Sequence, residues 1–277
     1  RNLEIEKMKI SQYILLACWV FLLSAAQKET DFSKILPGVL KVTENVYYDE
    51  VEVTNLYWLE YLYWTKKEFG DGSSEYMKVY PDTNVWKEKL SYNLPYAKYY
   101  LRHEAYRSYP VVGVSWEQAR DYCTWRTARV KEALEEQGKR DKAPLYFEYR
   151  LPTLAEWNMM YASVKDLPIR IGQEGKAKFQ GLYRFNMKRG QGDSMGVAGK
   201  LNDNADVTAP TKSYWPNDFG LYNIKGNVSE WLMDENKHVG GAWNTLMDDD
   251  VSTPIELYGS AANVGFRCVC EIATEAP

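Results

Sequence analysis

Two histidines, His103 and His238, are all that this 277-residue chain carries. That scarcity argues against a histidine-based zinc or iron centre and confines any Ser-His-Asp triad to two positions. A lone histidine is usually a plain hydrogen-bonder. No GxGxxG or GxxxxGK[ST] segment occurs, so dinucleotide and P-loop nucleotide binding have no support. Neither sign of charge dominates: the net charge is -4, with a pI near 5.5. Lys and Arg are scattered, so there is no basic field for a phosphate backbone and no nucleic-acid partner is expected. Internal repeats and heptads are absent. No apolar run reaches the roughly 20 residues that a membrane-spanning helix needs.

The longest apolar run, Ile10 to Leu23, follows Lys7 and Lys9 and leads to Ser24-Ala25-Ala26. Basic residues, a short apolar stretch and then small residues read as an export signal over 1–26, with Met8 as the start and Arg1 to Lys7 as upstream read-through. Leu15-Leu16-Ala17-Cys18 reads alternatively as a lipobox, with Cys18 acylated. Residues 27–42 then read as a linker and 43–277 as a single domain. Export places Cys123, Cys268 and Cys270 in an oxidising compartment, where three thiols imply one disulfide and one thiol left over. Cys268 and Cys270 stand too close along a strand to bond each other comfortably, since alternate residues lie about 7 Å apart. A long-range bridge from Cys123 is expected, and spacing does not choose its partner.

What is abundant is aromatic side chain, with ten Trp and twenty-two Tyr in a chain that is 45% hydrophobic. Such a load suits a core built from irregular loops, and it suits protein or carbohydrate surfaces equally. Val46 to Val53 reads as a strand. Thr54 caps a helix that runs to Phe69 and stops at Gly70, with Leu56, Leu59 and Tyr63 on one face. Ser115 and Gln118 form a capping box opening a helix toward Gln137, and Thr153 with Glu156 opens another carrying Trp157 and Tyr161. From Leu167 to Trp215 periodicity is lost, and a loop-rich stretch of that length needs a tie such as a metal.

Oxygen-bearing residues supply a candidate tie. Asn223 and Glu230 stand seven residues apart around Gly226. With intervening backbone carbonyls they could surround a hard cation such as calcium. Asn186 with Asp203 is a second, weaker cluster. Asp248 to Asp250 reads as a solvated loop, and Asn227-Val228-Ser229 fits the N-glycosylation acceptor pattern.

Five ordered segments carry a resemblance. They are YPVVGVSWEQARDYCTWR (109–126), YRLPTLAEW (149–157), APTKSYWPNDFGLYNIKGNVSEW (209–231), GGAW (240–243) and NVGFRC (263–268). With VEVTNLYWLEYLYW (51–64), they closely resemble the formylglycine-generating-enzyme-like, or sulfatase-modifying-factor, family over roughly residues 43 to 271. The resemblance implies an α+β fold, a loop-rich variant of the C-type lectin fold. It implies a Cys123–Cys268 bridge with Cys270 unpaired. It also implies structural calcium at two sites: Asn223, Gly226, Val228 and Glu230, with Gly226 and Val228 through backbone carbonyls, and more loosely Asn186, Met187, Asp203 and Ala205.

The departure from that family is as specific. Its oxidases carry two cysteines after the GGSW-type motif that bind copper and activate oxygen. The corresponding positions here fall near Thr245 and Asp250, so that oxidation and a copper cofactor are not expected. Trp243, Asn244 and Thr245 remain as a candidate pocket on the scaffold. The sequence therefore reads as an exported, non-catalytic binding or assembly component of the bacterial envelope, periplasmic or outer-membrane associated, similar to the family's gliding-motility and type IX secretion lipoproteins. An envelope protein is its expected partner, a glycan or peptide its candidate ligand, and a lipid anchor its only expected membrane contact. The alternatives are an enzyme of the modifying-factor type with other chemistry, or a secreted lectin-like binder.

Overall fold

The computed structural model describes residues 31–87, 94–173, 175–188 and 207–273. The export segment, Cys18, Asp203 and Ala205 lie outside the described residues. Phe32–Pro277 forms one compact unit.

Two four-stranded sheets organise that unit. The first has the order β1-β2-β8-β3, with β1 Val39–Lys41, β2 Val46–Asp49, β3 Tyr146–Arg150 and β8 Val269–Ala273, all antiparallel. The second has the order β6-β5-β4-β7, with β4 Ser229–Trp231, β5 Lys237–Val239, β6 Ile255–Glu256 and β7 Val264–Gly265. Only its β4–β7 pair is parallel. The stretch 27–42 is therefore no mere linker. From Phe32 onward it belongs to the domain: Leu36 is fully buried, and β1 pairs with β2 through Leu40 opposite Tyr48.

The helices begin where capping chemistry puts them. Helix α1, Asn55–Phe69, starts at Thr54, whose hydroxyl accepts from the Tyr57 amide, and ends at Gly70. Short helices α2, Ser74–Val79, and α3, Leu94–Tyr99, follow. Helix α4, Trp116–Glu136, opens on the Ser115–Gln118 box, and α5, Leu154–Tyr161, opens on the Thr153–Glu156 box. Each box satisfies otherwise unpaired amides of the first turn.

The face expected of α1 is corrected. Leu56 and Tyr63 are exposed and Leu59 is half-buried, whereas Trp58, Tyr61, Leu62 and Thr65 are buried. The sequence NLYWLEYLYW is apolar on nearly every side, so periodicity does not choose a face, and ring packing does. Trp58 stacks on Tyr122 of α4 with centroids 5.4 Å apart and meets Phe266 edge-on at 5.9 Å. This aromatic cluster joins α1, α4 and the segment before β8 into the main core. The strand expected over 46–53 is also shorter, because pairing with β8 ends near Asp49 and the chain then turns toward the Thr54 cap. Among the described residues no helix is long and apolar enough to cross a membrane.

Candidate functional site

The loop from Asn223 to Glu230 is built on left-handed backbone. Asn223 and Asn227 have φ of 53° and 63°, and Gly226 has 85°. Asparagine tolerates that region and glycine adopts it freely. At Gly226 there is a second reason: a Cβ would stand 2.8 Å from the Asn186 carbonyl oxygen, so the loop lies directly on the Asn186 backbone. The Asn227 amide donates to that same oxygen at 2.9 Å.

Beneath the loop lies a buried polar network. Asn223 Nδ2 donates to Glu52 Oε2 at 3.1 Å and to the Thr211 carbonyl at 3.0 Å. Asn227 Nδ2 donates to Glu52 Oε1 at 2.8 Å, while its Oδ1 accepts from the Ala209 amide and from Asn186 Nδ2. Arg267 Nε lies 2.8 Å from both oxygens of Glu230, and its Nη groups donate to the Asp49 and Tyr222 carbonyls. Glu52, Glu230 and Arg267 are all essentially inaccessible to water. One guanidinium facing two carboxylates leaves a charge uncompensated, and burial pushes the Glu52 carboxyl up to about 7 against the pull of Arg267. Full burial also removes Asn227 as a glycosylation acceptor in the folded protein, since its side chain is committed on both atoms.

The residues expected to hold calcium meet this network unevenly. Asn186 Oδ1 is buried and has no hydrogen-bond partner among the described residues, while its Nδ2 donates to Val207 and Asn227. An orphaned amide oxygen is the donor a hard cation takes. Its expected companion Met187 is fully buried beside it, and Asp203 and Ala205 fall outside the described residues. In the second set, Glu230 pairs with Arg267, and Asn223 donates to the Glu52 carboxylate. Among the described residues no three His, Cys, Asp or Glu side chains converge, so a cation here would depend on amide and carbonyl oxygens. Sequence spacing missed Glu52, Asn227 and Arg267. The signal was in the segments 51–64 and 263–268 already noted, where an acidic residue precedes a helix cap and an arginine precedes a buried cysteine.

Thr245 and Asp250 sit in ordinary turn chemistry. Thr245 Oγ1 accepts from the Ala242 amide at 3.0 Å. Exposed Asp250 accepts from the Ser252 amide and from the Ser252 and Thr253 hydroxyls, which hold its carboxyl down to about 2. The residues of the candidate pocket differ in burial. Trp243 is 6% exposed and stacks on Trp86 with centroids 6.4 Å apart, so it is a core residue. Asn244 is exposed and accepts from Asn263 Nδ2. A cavity of about 600 Å³ lies elsewhere, between the segment around Lys34 and the side of α4.

Cys123 Sγ lies 3.4 Å from Cys268 Sγ, both thiols being free and buried. Cys270, on β8 opposite Tyr47 and Tyr149, is buried among aromatic neighbours, and burial pushes its thiol far above the ordinary range.

Mixed helices, two small sheets and long capped loops around buried amides define a loop-rich α+β domain. Residues 25–272 match the family described as the sulfatase-modifying factor enzyme 1-like domain, and the chain belongs to that family. It is 35% identical over 128 residues to the formylglycine-generating enzyme of Mus musculus, a match spanning 46% of this chain and 27% of that protein. With the inactive C-alpha-formylglycine-generating enzyme 2 of Bos taurus it shares 31% identity over 180 residues, 58% of this chain and 50% of that protein. The chain thus spans about a quarter to a half of the length of these relatives. Among solved structures, CarF is 20% identical with a TM-score of 0.45, covering 82% of this chain and 87% of that one.

Proposed function

We propose that this protein is an exported, non-catalytic member of its family that works by binding, as an assembly component of the bacterial cell envelope with another envelope protein as partner. One observation carries the non-catalytic reading. The resemblance puts the copper-binding thiols of an oxidase near Thr245 and Asp250, and both side chains here are spent on local caps. Neither oxygen can replace a thiolate in that chemistry. That a relative bears the name of an inactive enzyme supports the same reading. We also propose a structural cation on the Asn186 side of the network, a reading supported by the orphaned Asn186 Oδ1.

Two assays test the proposal. The purified protein is incubated with copper, oxygen and a cysteine-containing peptide, and the peptide mass is followed. No conversion of cysteine to formylglycine is expected, and conversion would overturn the non-catalytic reading. Tagged protein is also recovered from detergent-solubilised envelopes. A stoichiometric envelope protein is expected, and recovery of the chain alone would sink the assembly role.

A further inference from the structure

The cavity of about 600 Å³ belongs to neither the buried network nor the 240–250 turn. Its volume falls in the range of roughly 300 to 1,000 Å³ typical of small-molecule sites. Lys34, Arg126, Arg129, Lys139, Lys142 and Lys212 line it, against the acidic Asp49, Glu50 and Glu60. That local excess of positive charge runs against a chain whose net charge is -4. Three of the cations are committed: Arg126 to Asp49 at 2.7 Å, Lys212 to Glu50 at 2.6 Å, and Arg129 to Glu132. Lys34, Lys139 and Lys142 are exposed and pair with no carboxylate among the described residues, the Lys139 ammonium donating to Gln137. Lys139 and Lys142 follow the C-terminal end of α4, where cations are favoured in any case. That accounts for two of the three and not for Lys34, which reaches the same cavity from the other side of the chain.

The floor is apolar, formed by Ile35, Val51, Tyr122, Trp125, Val130 and Leu134. The walls are preformed, because Arg126 ties α4 to the facing segment through the Pro37 carbonyl at 3.0 Å and to Asp49 on the strand side, with its guanidinium 4.1 Å over the Tyr149 ring. Such a site wants an apolar body below and a negative charge at the rim. We propose that this cavity binds a small amphipathic anion, a carboxylate on an acyl or aromatic body, with Lys34 and Lys142 at the head group and the Trp125–Leu134 floor under the body.

Calorimetric titration of the full chain with sodium decanoate, 1-decanol and decyltrimethylammonium, at equal chain length and below micelle formation, tests the proposal. Decanoate is expected to bind one to one, decanol at least tenfold more weakly, and the cation not at all. The exposed double substitution Lys34→Glu with Lys142→Glu should weaken decanoate at least tenfold and leave the melting temperature unchanged. Ala133→Phe, placed on the cavity wall, should block binding without touching a charge. The proposal is overturned by no decanoate binding at millimolar concentration, by decanol binding as well as decanoate, or by unchanged affinity in the double variant.

Discussion

Arg267 and Glu230 form a water-excluded pair, with Arg267 Nε 2.8 Å from each carboxylate oxygen and the two side chains 0% and 1% exposed. A buried pair loses much of its Coulomb attraction to desolvation, but removing one partner strands the other. Glu230→Gln or Arg267→Met alone is expected to destabilise by about 3 to 5 kcal/mol in urea melts. The double substitution should cost less than the sum of the two, and strict additivity would show that the pair is not coupled.

Stability should depend on pH through two opposed groups. Burial lowers His238 from near 6.5 to about 4, so the unfolded state takes up a proton first and stability falls as pH drops through that window. Glu52, raised from near 4.5 to about 7, does the opposite: the folded state keeps its proton longer, so stability falls as pH rises from 4.5 to 7. Each effect is on the order of 3 kcal/mol. Melting temperatures measured with a chelator present should therefore respond to removal of either group. Relative to the native protein, the slope with pH should become more positive in Glu52→Gln and more negative in His238→Gln. Parallel profiles in all three proteins would refute the assignment.

Oxidation should join Cys123 to Cys268 and leave Cys270 as a thiol, because the first two sulfurs already face each other at 3.4 Å. The expected readout is one alkylatable cysteine among these three after denaturation without reductant. Cys123→Ser should then cost about 2 to 5 kcal/mol under oxidising conditions. Three alkylatable thiols would exclude the bridge.

Chelation should lower the melting temperature, and calcium at about 100 times its dissociation constant should restore roughly 2.7 kcal/mol. Asn186→Ala is expected to abolish the calcium response, since it removes the orphaned oxygen. A native protein that melts identically with chelator and with calcium would eliminate the structural cation.

Local chemistry was legible in the sequence. Thr54, Ser115 and Thr153 cap their helices as their spacing requires, and Gly70 ends α1 as expected. Choices among similar side chains were not. The buried face of α1 depends on rings of α4 and the segment before β8, which are remote in sequence. Trp243 was singled out by its place in the GGAW segment, whereas its stacking on Trp86, remote in sequence, could be known only from the folded chain. Glu52 was invisible as a network member because its partners lie more than 170 positions away.

Strand β8 follows every other described element along the chain, yet it sits inside the first sheet, hydrogen-bonded to β2 on one side and β3 on the other. Until residues 269–273 leave the ribosome, β2 and β3 have no neighbour between them and expose pairing edges. Closure of that sheet therefore joins strands separated by very long loops, which makes it a slow, non-local search. Until it closes, the unpaired edges of β2 and β3 are open to pairing with other chains.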